Sequence, residues 1–117
     1  MPSQFEMVKE FHNALIDNPV DLDPIELMEL RTTLIMEEAK ELCEAIFEGN
    51  RAHILKELCD LLYVTHGAGV DFDLPVDEAF WRVHQSNMTK VSPPTYRADG
   101  KLLKGPNYVP PHLEDLV

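Results

Sequence analysis

One helix signal dominates the sequence and limits the folds that the chain can adopt. Asp23 and Pro24 are favoured at the cap and first position of a helix, and Glu26 follows at the third helical position. Gly49 is the type of residue that ends a helix in a left-handed conformation. The intervening helix would be about 37 Å long at roughly 1.5 Å per residue, whereas a globule of 117 residues has a radius of gyration of only about 13 Å. We therefore expect this helix to pack beyond its own protomer, in a dimer or a dimer of dimers.

Capping signals and apolar periodicity predict three more helices. Ser3 and Glu6 have the spacing of a capping box, and apolar residues then recur at helical intervals. Asn50 is a suitable cap for the third helix, which we expect to fade at the glycine-containing residues 67–69. The predicted helices cover about residues 3–17, 23–49, 50–69 and 73–90. The sequence therefore predicts an all-α protomer with a bundle of four main helices.

The composition changes after residue 90. Residues 91–117 are rich in proline and glycine, which are poorly suited to helix interiors. Asp99–Gly100 lies between two short segments of strand-like residues and predicts a hairpin turn. We therefore predict a helical catalytic domain at 1–90 and an extended arm at 91–117, which packs on the same domain or on a neighbouring subunit.

Two pairs of acidic residues are placed to meet between the second and third predicted helices. Glu38 and Glu41 are three residues apart, as are Glu57 and Asp60, and residues with this spacing share one face of a helix. At about 100° per residue, the first pair falls on the apolar side of its helix. Glu57 falls at the edge of the apolar side of the next helix, and Asp60 just beyond it. Four carboxylates are therefore expected to face one seam.

Carboxylates gathered in this way need a positive partner. Two like charges about 5 Å apart repel by roughly 3 kcal/mol at an effective dielectric of about 20, and burial adds a desolvation cost. Hard oxygen ligands suit Mg²⁺ or Mn²⁺, and Mg²⁺ is commonly held by one or two carboxylates plus the phosphates of a substrate. The sequence thus predicts a divalent-metal site for a phosphorylated substrate. The alternative is that an acidic protein places some glutamates near a helical seam by chance.

The composition argues against several other functions. The chain has 10 basic and 21 acidic residues and a formal net charge of −11, which disfavours a nucleic-acid-binding surface. No apolar run of about 18 residues is present, and the N-terminus lacks the features of a signal peptide. We therefore expect a cytoplasmic protein with no membrane partner.

Cys43 and Cys59 are expected to be buried free thiols, and the histidines lack the spacings typical of zinc or di-iron sites.

The acidic pattern and the C-terminal residues together resemble a known family. Glu38-x-x-Glu41, a spacer of fifteen residues and then Glu57-x-x-Asp60 resembles the signature of the MazG-like, all-α nucleoside triphosphate pyrophosphohydrolases. Residues 84–90 (HQSNMTK) and 99–108 (DGKLLKGPNY) resemble a branch of that superfamily related to phosphoribosyl-ATP pyrophosphohydrolase. The likeness covers nearly the whole chain.

The resemblance implies a reaction and a set of metal ligands. The reaction is Mg²⁺-dependent cleavage of an NTP or dNTP between the α and β phosphates, which releases the monophosphate and pyrophosphate. Mn²⁺ is expected to substitute for Mg²⁺, with two or more ions in each site. The residues implied to hold these ions are Glu38, Glu41, Glu57 and Asp60. Glu37 or Glu41 would orient or deprotonate the attacking water.

The resemblance also implies residues that bind the substrate. Asn87 and Lys90 would contact the phosphates, and Lys104 of the arm is a further phosphate-binding candidate, as is Lys101. The alternative for these two arm residues is that they are ordinary solvated lysines. In similar proteins the base lies between helices near the N-terminal segment, and the corresponding residues here are His12, Asn13 and Trp81. Trp81 is equally consistent with a core or interface position.

Three other functions agree with the same sequence. The enzyme could be restricted to dUTP or dCTP, or it could act on phosphoribosyl-ATP in histidine synthesis. The chain could also be a helical oligomerisation module whose acids are only surface charge. The sequence favours no particular base and neither ribose nor deoxyribose.

Overall fold

The computed structural model of the protein describes residues 1–117 and contains four α-helices and no β-strand. The helices are α1 (Gln4–Ala14), α2 (Pro24–Glu48), α3 (Arg51–Asp71) and α4 (Val76–Met88), with a short 3-10 helix at Glu114–Leu116. The predicted all-α class is therefore confirmed.

Local capping groups fix the ends of the first two helices. The Ser3 hydroxyl accepts a hydrogen bond from the Glu6 backbone N–H at 3.0 Å, and the Glu6 carboxylate accepts one from the Ser3 N–H at 3.1 Å. Asp23 and Glu26 form the same reciprocal pair at 2.8 and 3.3 Å. Gly49 ends α2 with a φ of 80°, a conformation that a glycine adopts without steric cost. The predicted bounds of the long helix are confirmed.

The third helix continues past the glycines at which we expected it to end. α3 runs through Gly67 and Gly69 to Asp71. A Cβ atom at Gly67 would lie 2.5 Å from Nη1 of Arg31. The expected end at residues 67–69 was therefore wrong, because Gly67 makes room for a guanidinium from α2 and does not terminate the helix.

Helices α1, α2 and α3 belong to one compact unit, Met1–Asp73, in which α3 packs against both α1 and α2. The interior of this unit is small. Its buried apolar residues are Phe5, Val8 and Ala45. Cys43 and Cys59 are exposed free thiols, so the expectation that they are buried was wrong for the single chain. The apolar residues of α2 and α3 are therefore only partly covered within this unit.

The second compact unit comprises residues 74–117 and contains α4 together with the arm. The predicted domain division at residues 90 and 91 falls inside this unit. No helix of either unit has the length and apolar character needed to cross a membrane.

Polar side chains of α4 and of the turn after it fasten the arm. The Ser86 hydroxyl donates to the Val109 carbonyl at 2.6 Å, and the Thr89 hydroxyl accepts from the Val109 N–H at 2.9 Å. Arg82 Nη1 donates to the Asp115 carboxylate at 2.6 Å. Because Ser86 is buried, its hydrogen bond is shielded from competition with water.

A tight turn at Asp99–Gly100 reverses the arm, as predicted. The turn glycine has a φ of 94°, and Tyr96 and Leu102 on either side form an antiparallel bridge. The Arg97 guanidinium donates two hydrogen bonds to the carboxylate of the turn aspartate, at 2.8 and 2.6 Å. The backbone and the side chains therefore both hold the hairpin.

Candidate metal centre

Three of the four predicted metal ligands meet between α2 and α3. Glu38 and Glu41 lie on α2 and Glu57 lies on α3, and one carboxylate oxygen of each lies within 4.8 Å of the other two. The three-residue spacing on α2 places its two acids on one face, and the packing of α2 on α3 brings that face to Glu57. We call these three residues the glutamate cluster.

Two members of the glutamate cluster are at least partly buried, whereas Glu41 is exposed. Glu57 has only 4% of its surface exposed, and Glu38 is half-buried. One oxygen of each, Oε2, is buried without a hydrogen-bond partner. A buried polar atom left unpaired typically costs about 1–3 kcal/mol, and more when it is charged. Hard oxygens at this separation suit a divalent cation such as Mg²⁺ or Mn²⁺, so the residues present fit the metal that the sequence predicted.

Interactions within the cluster raise the pKa of Glu41. The largest cause is the side chain of Glu57, with which Glu41 can form a hydrogen bond only when one of the two carboxyl groups carries a proton, and the next is the charge of Glu38. A metal ion would compete with this proton, because both need the same ionised oxygens. The cluster should therefore bind protons when the metal is absent and release them when it binds.

Lys56 and His53 lie beside the other oxygen of Glu57. Lys56 Nζ lies 3.3 Å from Oε1 of Glu57 and 2.7 Å from Oδ2 of Asp60. Hydrogen bonds to Asp60, and then to Glu57, raise the pKa of Lys56. His53 Nε2 also lies 3.3 Å from Oε1 of Glu57. Oε1 of Glu57 thus faces Lys56 and His53, while its Oε2 has no partner.

Asp60, the fourth predicted ligand, pairs with Lys56 and is not one of the three clustered carboxylates. Its role as a ligand stays a prediction, and it requires Asp60 to turn away from Lys56.

Glu37, the other candidate for orienting water, is exposed on α2. Sequence reasoning did not identify Lys56 and His53. Lys56 precedes Asp60 by four residues, and His53 precedes Glu57 by four. This spacing favours ion pairs on a helix and was the signal available in the sequence.

The candidates for base recognition lie in different surroundings. His12 Nδ1 is 3.4 Å from Oδ1 of Asp71, and Arg31 Nε is 2.5 Å from Oδ2 of the same carboxylate. This ion cluster joins α1, α2 and α3. Asn13 is exposed. Trp81 lies on α4 with 55% of its surface exposed, so it is not part of the core of the second unit.

Two of the lysines predicted to bind phosphate lie near one aromatic ring in the second unit. Lys90 Nζ lies 5.8 Å and Lys104 Nζ 5.1 Å from the centroid of the Tyr108 ring. Asn87 is exposed in the last turn of α4. The structure brings the two lysines together and adds Tyr108, which the sequence did not single out.

Comparisons with known proteins identify a family that the chain resembles. A family model described as phosphoribosyl-ATP pyrophosphohydrolase matches residues 7–87, a range that includes the whole glutamate cluster. An uncharacterized protein of Acanthamoeba polyphaga mimivirus is 32% identical over 85 residues, which make up 73% of this chain. The chain spans only 29% of the length of that viral protein.

Proposed function

Because the chain belongs to the phosphoribosyl-ATP pyrophosphohydrolase family, within the MazG-like all-α superfamily, we propose that it is a Mg²⁺-dependent nucleoside triphosphate pyrophosphohydrolase. The proposed substrate is an NTP or dNTP, which is cleaved between its α and β phosphates into the monophosphate and pyrophosphate. The glutamate cluster is the observation that supports this most directly, since two of its buried oxygens have no partner. The resemblance seen in the sequence is confirmed by the family match.

In this proposal the glutamate cluster holds two or more divalent ions, with Asp60 as a fourth ligand. When bound, such ions neutralise charge on the phosphates and make water more acidic. Glu37 or Glu41 orients the attacking water and accepts its proton. Glu41 is the better placed of the two, because its carboxylate belongs to the cluster, whereas Glu37 makes no side-chain interaction on the exposed surface of α2.

The residues proposed to bind the nucleotide are those that the family resemblance implied. Asn87, Lys90 and Lys104 supply N–H donors to the phosphates, and ammonium groups are well suited to phosphate oxygens. The residues assigned to the base are His12, Asn13 and Trp81. The imidazole of His12 has Nδ1 3.4 Å from Oδ1 of Asp71, and its Nε2 faces Gly67 of α3. Only 20% of this side chain is exposed to a ligand.

A second candidate substrate is phosphoribosyl-ATP itself. The description of the matching family model favours it. The same acids and lysines would serve on either substrate, because both carry a triphosphate. The two substrates differ in what is attached to the base, so they are best distinguished by direct assay.

We propose that the protein works as a homo-oligomer, a dimer or a dimer of dimers. The first unit buries few apolar side chains and leaves others exposed, among them Met36 (67%), Phe47 (92%) and Leu55 (64%). Apolar surface of this kind on helices is typical of subunit interfaces. A helical oligomerisation module without activity would explain the exposed surface, but it would not explain the unpartnered oxygens of Glu38 and Glu57.

The deciding experiment is to incubate the protein with each NTP and dNTP, and with phosphoribosyl-ATP, in Mg²⁺ or Mn²⁺ and to separate the products. We expect a monophosphate and pyrophosphate. A diphosphate and orthophosphate would contradict the assigned bond. Absence of turnover on every substrate would favour the oligomerisation module.

Metal binding is expected to stabilise the folded protein, and more strongly at neutral than at acidic pH. A ligand present at about 100 times its dissociation constant stabilises the native state by about 2.7 kcal/mol. The pKa of Glu41 is raised in the folded protein. Protonation of Glu41 therefore stabilises the folded protein, and this contribution is fully present below the pKa that Glu41 has in the unfolded chain. That contribution is lost as the pH rises through the folded pKa. The metal should therefore raise the melting temperature more at pH 7.5 than at pH 5.

Differential scanning fluorimetry with Mg²⁺, with Mn²⁺ and with EDTA at both pH values measures this effect. Ca²⁺ is the control for the size of the divalent ion, and K⁺ is the control for ionic strength. Equal shifts at the two pH values, or none, would remove the cluster as the metal site.

A further inference from the structure

One lysine lies at the edge of the glutamate cluster. Lys56 directly precedes Glu57 on α3 and lies four residues before Asp60, a spacing that places Lys56 and Asp60 on one face of the helix. Its Nζ atom lies 2.7 Å from Oδ2 of Asp60 and 3.3 Å from Oε1 of Glu57. One ammonium group therefore joins two of the four predicted metal ligands.

The three side chains of this contact differ widely in exposure. The Glu57 side chain is 5% exposed, that of Asp60 36% and that of Lys56 66%. An exposed ion pair contributes little to stability, because water readily replaces either partner. Glu57 is buried, and its Oε2 has no partner. The group that can leave this contact at the lowest cost is therefore the lysine.

Lys56 partly neutralises the glutamate cluster when no metal is bound. The carboxylates of Glu38, Glu41 and Glu57 approach each other within 4.8 Å, and a buried carboxylate is unfavourable without a cation or a hydrogen bond. The ion pairs of the cluster include one lysine, Lys56, and one histidine, His53. The ammonium group thus supplies positive charge at the position where a divalent ion is expected.

Asp60 cannot serve both cations in the same way. It pairs with Lys56 at 2.7 Å in this structure, so it must leave the lysine to become a metal ligand. A divalent ion and an ammonium group beside the same carboxylates also repel each other. Lys56 and the metal therefore compete for Asp60 and Glu57.

His53 provides a second partner for Glu57 when Lys56 leaves. His53 Nε2 lies 3.3 Å from Oε1 of Glu57, and Nδ1 lies 3.4 Å from Oε2 of Glu48. With a hydrogen on Nε2, the imidazole donates to the same oxygen that Lys56 contacts. Displacement of the lysine therefore does not leave this buried carboxylate oxygen unpaired.

We infer that Lys56 is an internal counter-cation, a positioning residue that holds Asp60 away from the glutamate cluster until a divalent ion displaces it. The inference rests on the proposed function, because it takes the cluster as the metal site and Asp60 as its fourth ligand. Binding of the metal must break the ion pair between Lys56 and Asp60. The apparent metal affinity is therefore lowered by the fraction of molecules in which this pair is formed.

Calorimetric titration of Mn²⁺ into the full-length protein, without nucleotide, tests this role. Lys56→Met removes the charge and keeps much of the apolar stem. We expect this variant to bind Mn²⁺ about fivefold more tightly, as follows from loss of one competing exposed ion pair. In EDTA it should melt at a lower temperature, because Glu57 and Asp60 lose their cation. Metal affinity and metal-free stability should thus change in opposite directions.

Three further variants separate charge from other effects. Lys56→Gln is also neutral and should show the same tighter binding. Lys56→Arg keeps a cation that pairs with carboxylates, so its Mn²⁺ affinity should stay near that of the wild-type protein. Lys40→Met is the matched control, because Lys40 also pairs with an acid four residues later, Glu44, away from the cluster. Equally tighter binding in Lys40→Met would show a general charge effect and overturn the inference.

A double variant tests whether Lys56 acts through Asp60. In an Asp60→Asn background there is no ion pair to break, so Lys56→Met should strengthen Mn²⁺ binding less than it does in the wild-type protein. Equal strengthening in the two backgrounds would show that Lys56 does not control Asp60, which would overturn the inference.

The outcomes separate this inference from the proposed function. Tighter Mn²⁺ binding by Lys56→Met supports the inference even if no nucleotide is hydrolysed. Normal nucleotide hydrolysis, with unchanged Mn²⁺ affinity in Lys56→Met, would overturn it and leave the proposed function standing. If Lys56 were only structural, Lys56→Met would lower both the melting temperature in EDTA and the Mn²⁺ affinity, and that result would overturn the inference as well.

Discussion

Replacing Glu38 with glutamine is expected to lower kcat at least about a hundredfold while it raises the melting temperature of the metal-free protein. Loss of a group that only supports a metal ligand costs about 10–100-fold in metal affinity or activity, so loss of a ligand should cost at least as much. Without metal, the same change removes one negative charge from three carboxylates that lie within 4.8 Å of each other. Activity and stability should thus change in opposite directions, which steady-state kinetics and a thermal melt in EDTA would show.

Glu44→Gln is the matched control for Glu38→Gln. Glu44 lies on the same helix but is exposed, and its contact is a 4.0 Å ion pair with Lys40. An exposed pair of this kind contributes little to stability, so the control should change neither kcat nor the melting temperature appreciably. If Glu38→Gln retained its activity, Glu38 would be excluded from the metal site. If it lost activity and also melted lower in EDTA, misfolding would explain the loss instead.

The acid pairs and the helix caps could be predicted from sequence because they depend on short-range spacing. Asp23 and Gly49 bound α2 through contacts within one helical turn. Glu38 and Glu41 share a face because they are three residues apart, and α3 follows α2 closely enough in the chain to pack beside it. Patterns of this kind carry over directly from sequence to structure.

The features that sequence did not predict depend on competition or on distant residues. Asp60 fits the metal pattern, but Lys56 lies four residues before it and pairs with it at 2.7 Å. Gly67 reads locally as a helix end, whereas its function is to admit Arg31 from another helix. The approach of Lys90 and Lys104 to the Tyr108 ring depends on how the arm folds back. None of these outcomes follows from helical periodicity alone.

Replacing Asp71 with alanine is expected to destabilise the protein by about 3 kcal/mol. The side chains of Asp71 and Arg31 are only 19% and 15% exposed, so water cannot readily replace the lost partner. Removal of one member of a buried ion pair typically costs about 3–5 kcal/mol, and partial exposure places this pair at the lower end. For a small domain, the melting temperature should fall by about 10 °C or more, as measured by calorimetry or circular dichroism.

The double variant Arg31→Met, Asp71→Ala separates charge from packing. Methionine keeps much of the apolar stem of Arg31 and leaves no unpaired cation, so we expect the double variant to be more stable than Asp71→Ala alone. Equal instability would show that packing, and not the unpaired charge, determines the cost.

Arg31 lies two helical turns before Glu38 and on the same face of α2, so its ion pair with Asp71 also fixes how α2 aligns with α3. Asp71→Ala should therefore reduce the stabilisation by Mg²⁺ as well, because Glu38 and Glu57 meet only when that alignment is kept.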